Sequence, residues 1–187
     1  MIAMDSYILN DLATAAHNNA VRHGFYNDKP TNEHLMMLVI TEIAEAVQAD
    51  RSEPGTEINA RDRFEEMVAD GYAENEAYET TIKGTKFDEL ADVCIRLLDM
   101  AGEKGIDFTK MNPCRYHRAF DKYSFTENAF GLAKGLWREP FSIERRIQFG
   151  IHYVQEWCYA MDESIEWFIN KKMAYNQGRE YMHGKKY

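Results

Sequence analysis

The stretch TEIAEAVQADR, residues 41–51, extends the apolar run NEHLMMLVI at 32–40 with helical spacing. It nevertheless sets Glu42 and Glu45 on the rows that Leu35 and Leu38 occupy seven positions earlier, so a face that should stay apolar turns acidic. Leu35, Leu38, Val39 and Ala46 surround these acids on the helix surface. Downstream, FDELADVCIRLLDMAG at 87–102 repeats the device, with Glu89 and Asp92 three apart at the start of another apolar helix.

If the two helices pack antiparallel, four carboxylates converge. Two unit charges about 5 Å apart repel by roughly 3 kcal/mol at an effective dielectric near 20, and several such pairs weigh heavily against a folding stability of about 5–15 kcal/mol. Protons or a cation must neutralise them. An all-oxygen ligand set suits Mg²⁺ or Mn²⁺, and Mg²⁺ leaves positions for water and phosphate oxygens. The bland alternative is a solvated face, which Arg96 and Asp99 would continue beyond Glu89 and Asp92. A di-iron bundle would need Glu-x-x-His on two helices, and only Glu180 to His183 has that spacing.

The rest of the chain reads as helical throughout, with no β-branched alternation between turn residues. Helices are expected over about 5–23, 32–50, 61–69, 73–82, 86–103, 125–136, 143–161 and 163–177. Gly24, Gly105 and Gly178 serve as stops, Thr85 with Asp88 and Ser124 with Glu127 as capping boxes, and Asp162 as the last cap. The expected architecture is an all-α helical bundle forming one domain over 1–187. A helical insertion at about 52–86 separates the acidic motifs, and extra helices at about 115–160 give an extended C-terminal part.

Composition narrows the function. The 187 residues are 45% hydrophobic, which suits a globular core, and 22 Lys+Arg against 31 Asp+Glu give a net charge of −9, which disfavours nucleic acid as a partner. The three cysteines, Cys94, Cys114 and Cys158, form no C-x-x-C pair and suggest neither zinc nor a disulfide framework. The N-terminus lacks a basic region ahead of an apolar run, and LMMLVI falls far short of the roughly 20 residues that span a bilayer. A cytoplasmic protein without a membrane partner is expected.

Two further groups bear on a ligand. In KKMAYNQGR, residues 171–179, Lys172, Asn176 and Arg179 share one helix face and could take the phosphate charge that one divalent ion leaves uncancelled, or could form a solvated basic end that complements the helix dipole. In AAHNNAVRHGFY, residues 15–26, His17, Asn18, Asn19 and Phe25 offer polar groups and a ring suited to a base pocket. Trp137, Trp157 and Trp167 read as core or interface residues.

TEIAEAVQADR with ELADVCIRLLDMAG resembles the MazG-like all-α NTP pyrophosphohydrolases, whose motif is E-x-x-E followed by E-x-x-D. AHNNAVRHGF upstream and KMAYNQGREYMHGKKY at the end extend the resemblance to somewhat less than half of the chain. Thr41 stands where the family often has a further acid, the gap between motifs is longer than in compact members, and residues 104–160 hold helices that short forms lack.

The resemblance implies a bundle of the all-α NTP pyrophosphatase type and Mg²⁺-dependent hydrolysis of a nucleoside triphosphate to the monophosphate and pyrophosphate, with house-cleaning of non-standard nucleotides as one implied role. Glu42, Glu45, Glu89 and Asp92 would hold the metal, with Glu42 orienting or deprotonating the water. Lys172 and Arg179 would take phosphate oxygens, Asn176 the sugar or a phosphate, and His17, Asn19 and Phe25 would line the base pocket. A homodimer is implied. Two alternatives stay open: an enzyme of the same scaffold dedicated to dCTP, dUTP or a phosphoribosyl nucleotide, and a non-catalytic helical nucleotide-binding or interaction protein.

Overall fold

The computed structural model describes residues 4–52, 60–114 and 118–181. Among these it contains eight α-helices and no strand: α1 Ser6–Arg22, α2 Asn32–Ser52, α3 Ala60–Ala69, α4 Glu74–Thr81, α5 Lys86–Glu103, α6 Phe125–Leu136, α7 Ile143–Tyr159 and α8 Ile165–Gln177. Short 3-10 turns at Phe108–Lys110 and Phe120–Lys122 link α5 to α6. The protein is all-α, as expected. No described helix is long and apolar enough to cross a membrane.

Local chemistry accounts for most of the boundaries. Asp5 accepts from the Tyr7 amide at 2.7 Å to start α1, and Ser142 accepts from the Arg145 amide to start α7. Ser124 and Glu127 complete the expected capping box at α6. Gly24, at φ 87°, and Gly105, at φ 62°, stop α1 and α5 in the left-handed region, where a side chain is strained.

Two expectations need correction. Asp162 does not cap α8; it sits at φ 60° in the turn after α7, and the helix begins after Ser164. At α5 only half of a capping box forms, because Thr85 Oγ1 accepts from the Asp88 amide while the Asp88 carboxylate is engaged elsewhere. His183 and the other residues of the basic tail beyond Tyr181 lie outside the described residues.

α5 is the spine of the bundle. Both of its apolar faces are buried, through Phe87, Leu90, Val93, Cys94, Leu97, Leu98 and Met100, and it packs against α1, α2, α7 and α8. The bridges Lys86–Asp50 and Arg96–Glu42 pair ascending α5 positions with descending α2 positions, so these helices run antiparallel. His17–Asp99 and Asn10–Asp107 show the same for α1. α8 runs parallel to α5, from Phe168 stacked on Phe87 to Lys172 bridging Asp88 and Asp92.

The approach of α1 to α5 is set by Gly102, where a Cβ would stand 2.5 Å from the Ala13 carbonyl oxygen and 2.6 Å from the His17 Cβ. A larger residue there would push α1 away. Of the tryptophans, Trp157 is in the core, Trp167 is half-buried against Phe64, and Trp137 is exposed at the end of α6.

Candidate functional site

The antiparallel pairing of α2 and α5 brings the two acidic motifs together. Glu42, Glu89 and Asp92 each offer a carboxylate oxygen within 4.8 Å of the others. Glu42 is buried at 3% exposure, because it stands on the row that Leu35 begins and that row faces α5. Glu45, one turn on, is exposed and lies outside that tight group, yet its negative charge still pushes up the carboxyls of Glu42 and Glu89.

Part of the neutralising charge that the spacing calls for comes from two side-chain cations of the chain itself. Arg96 Nε donates to Glu42 Oε1 at 2.5 Å. Lys172 Nζ lies 2.7 Å from Asp92 Oδ2 and 2.9 Å from Asp88 Oδ2. Asp88 is thus a fifth acid of the site, and it also accepts from the Gly84 amide at 2.9 Å and from the Tyr78 hydroxyl. Five carboxylates (Glu42, Glu45, Asp88, Glu89, Asp92) against two cations (Arg96, Lys172) leave three acids whose charge, when ionised, no side-chain cation of the cluster cancels.

Lys172 therefore stands in a different place from the one expected of a phosphate ligand. It is buried behind the cluster at 6% exposure and holds Asp92 in position. Burial alone would lower its ammonium pKa, but Asp92 and Asp88 outweigh that and raise it, so the lysine stays charged. Removing one partner of such a buried set strands the others, at a cost of about 3–5 kcal/mol.

Glu42 and Asp92 also form part of the wall of a cavity of about 430 Å³ between α1, α2, α5 and the end of α8. Asn19, Phe25, Asn176 and Arg179, four of the residues expected to bind substrate, line it. His17 does not. It stands behind the wall with Nδ1 2.9 Å from Asp99 Oδ1 and packs edge-on against Tyr26 at 4.7 Å. The Tyr26 hydroxyl donates to the same Asp99 oxygen at 2.9 Å, and Asp99 is the residue that reaches the cavity.

By spacing alone Asp99 belongs to a polar stripe. Its position seven residues after Asp92, on the same row of α5, was the available signal. Tyr26 carried no comparable signal, because its partner lies on another helix.

The carboxylates fit a hard divalent cation. Burial pushes the Glu89 carboxyl up to about 8, with Lys172 opposing and Asp88 and Asp92 adding to the rise. Glu42 is likewise raised, by burial first, against the opposing pull of Arg96 and with Asp92 reinforcing it. Groups shifted in this direction take up a proton or a cation readily. Three carboxylates on two rigid helices leave further coordination positions open to water and substrate oxygens, which suits Mg²⁺ or Mn²⁺.

No protein-family model, curated protein or solved structure matches the chain.

The raised carboxyls give a pH prediction. A group whose folded pKa exceeds its unfolded value keeps extra protons in the folded state, so its contribution is present at low pH and lost as pH rises through the folded pKa. In EDTA, stability should therefore fall by roughly 1–3 kcal/mol between about pH 5 and 8, and saturating Mg²⁺ should flatten that slope. Urea melts across the range test this. A flat or rising profile in EDTA would contradict the charge surplus.

Proposed function

We propose that the chain is a Mg²⁺-dependent nucleoside triphosphate pyrophosphohydrolase that splits (d)NTP and water into (d)NMP and pyrophosphate. The observation that carries this is the position of the three-carboxylate group: two of its members, Glu42 and Asp92, are in the wall of a cavity large enough for a nucleoside. The E-x-x-E and E-x-x-D motifs that resemble the MazG-like enzymes supply two of these acids at Glu89 and Asp92 and the third at Glu42.

Mg²⁺ bound there would supply positive charge to phosphoryl oxygens and lower the pKa of a coordinated water. The chain's own residues do the rest. Glu42, raised by burial and facing the cavity, orients the attacking water and accepts its proton. Lys172 and Asp88 hold Asp92 in place. Arg179, at the cavity wall, takes phosphate charge, while Asn176 reaches the sugar or a phosphate and Arg96 stays on Glu42. Asn19 and Phe25 flank the base, and His17 acts through Asp99.

The chain is further inferred to work as a homodimer in the cytoplasm, in keeping with the same resemblance. Phe130, 70% exposed, and Trp137, 46% exposed, lie seven residues apart on one side of α6 and leave an apolar strip for a second copy. Light scattering at micromolar concentration should return twice the chain mass. A monomer that turns over substrate would contradict the dimer.

Incubation of the purified protein with Mg²⁺ and a panel of NTPs and dNTPs, with product identification, tests the activity. Monophosphate and pyrophosphate should appear together and vanish in EDTA. Arg179→Ala should lower kcat/KM by an amount equivalent to about 1.5–3 kcal/mol while Mg²⁺ binding persists. Release of orthophosphate in place of pyrophosphate would overturn the proposed bond cleavage. No turnover of any nucleotide would favour a non-catalytic nucleotide-binding protein.

A further inference from the structure

Asn19 on α1 and Asn176 on α8 line the same cavity, and each carries a buried Oδ1 with no hydrogen-bond partner among the described residues. Asn176 is only 5% exposed, so its amide has little access to solvent. A buried amide oxygen left without a donor costs about 1–3 kcal/mol, and two in one cavity mark a place where a ligand completes the structure.

Asp99 adds a third acceptor. Its hydrogen bonds with His17 and Tyr26, at 2.9 Å each, both fall on Oδ1, and among the described residues none reaches Oδ2, on a residue of the cavity wall. The two asparagines can rotate to present either end of the amide, but an ionised carboxylate can only accept. Asp99 is thus the fixed element of the recognition pattern, held in place by α1 through His17 and by Tyr26 beyond its end. With Phe25 offering a ring in the same wall, the cavity suits a flat group that brings more than one N–H.

We propose that this cavity selects nucleotides whose base carries an exocyclic amino group, as cytosine and adenine do, over their oxo counterparts uracil and hypoxanthine. The proposal rests on the nucleotide hydrolase reading of the adjoining acid cluster and names the substrate class of that site. An amino group brings two N–H bonds, enough to satisfy Asp99 Oδ2 and one asparagine oxygen together. An oxo oxygen in that place sets lone pairs against the carboxylate, and a buried polar group facing the wrong partner is what makes such sites discriminate. Ribose hydroxyls also donate hydrogen bonds and are the competing source of the same chemistry.

The test compares kcat/KM with Mg²⁺ for CTP against UTP and ATP against ITP, and for each ribonucleotide against its deoxy form. Alongside it, CMP and UMP are titrated into the protein in EDTA and followed by NMR. The amino member of each pair should be preferred by at least about tenfold, with the deoxy forms close to their ribo counterparts. Asp99→Asn, which gains an N–H donor, should bring the amino-to-oxo ratio to within about threefold.

Hydrolysis of both members of each pair at equal rates, or a preference that follows the 2′-hydroxyl, would overturn the selectivity while leaving the hydrolase standing. Tighter binding of CMP than UMP without hydrolysis of any triphosphate would uphold the selectivity and overturn the hydrolase. Neither binding nor hydrolysis would overturn both.

Discussion

Lys172 enters the bundle between Asp88 and Asp92, and the arrangement of the site follows from that contact. An ammonium so deeply buried is tolerable only because two carboxylates receive it, and two adjacent carboxylates are tolerable only because the ammonium stands between them. The contact ties α8 to the first turns of α5 and fixes the carboxylate of Asp92. Asp88 is in turn held by the Gly84 amide and by Tyr78, whose ring stacks on Tyr175 at 4.6 Å. The last turn of α8, bearing Asn176, and Arg179 just beyond the helix are thereby placed at the cavity.

The same contact shows why the site remains acidic after its internal cations are counted. Lys172 is used on the side of the cluster where Asp88 lies, and Arg96 is used on Glu42, leaving Glu89 with neither a hydrogen bond nor an ion pair to its carboxylate among the described residues. Such a cluster is kept rigid by its neighbours yet short of positive charge, which is the condition under which an added cation binds with little rearrangement. The cavity wall thus carries acids, arginines and two amides together with Asp99, a lining that offers both charged and neutral polar groups to a ligand.

Much of this was legible in the chain because it depends on short-range periodicity. Glu42 betrays its burial by standing on Leu35's row, and Glu89 and Asp92 open a helix whose apolar faces are continuous. Stops such as Gly24 and caps such as Ser124 report local backbone chemistry. What depends on contacts between distant helices was not legible. Lys172 looks like part of a basic helix end until α8 is laid along α5, and Asp88 looks like half of a capping box until Lys172 and Tyr78 turn its carboxylate inward. His17 looks like a base-pocket residue until the close packing of Ala13 against Gly102 sets it behind Asp99.

Glu89 offers the most direct test of the central claim that the acid cluster is a cation site, because replacing it strands no partner, whereas Glu42 would release Arg96. Thermal melts of wild type and Glu89→Gln are compared in EDTA and in Mg²⁺. The variant should be at least as stable as wild type in EDTA, since it removes repulsion, and should lose most of the Mg²⁺-induced rise in Tm, since stabilisation by a ligand reflects its affinity for the folded state. A variant less stable than wild type in EDTA that keeps the full Mg²⁺ response would contradict the claim and make Glu89 a structural acid.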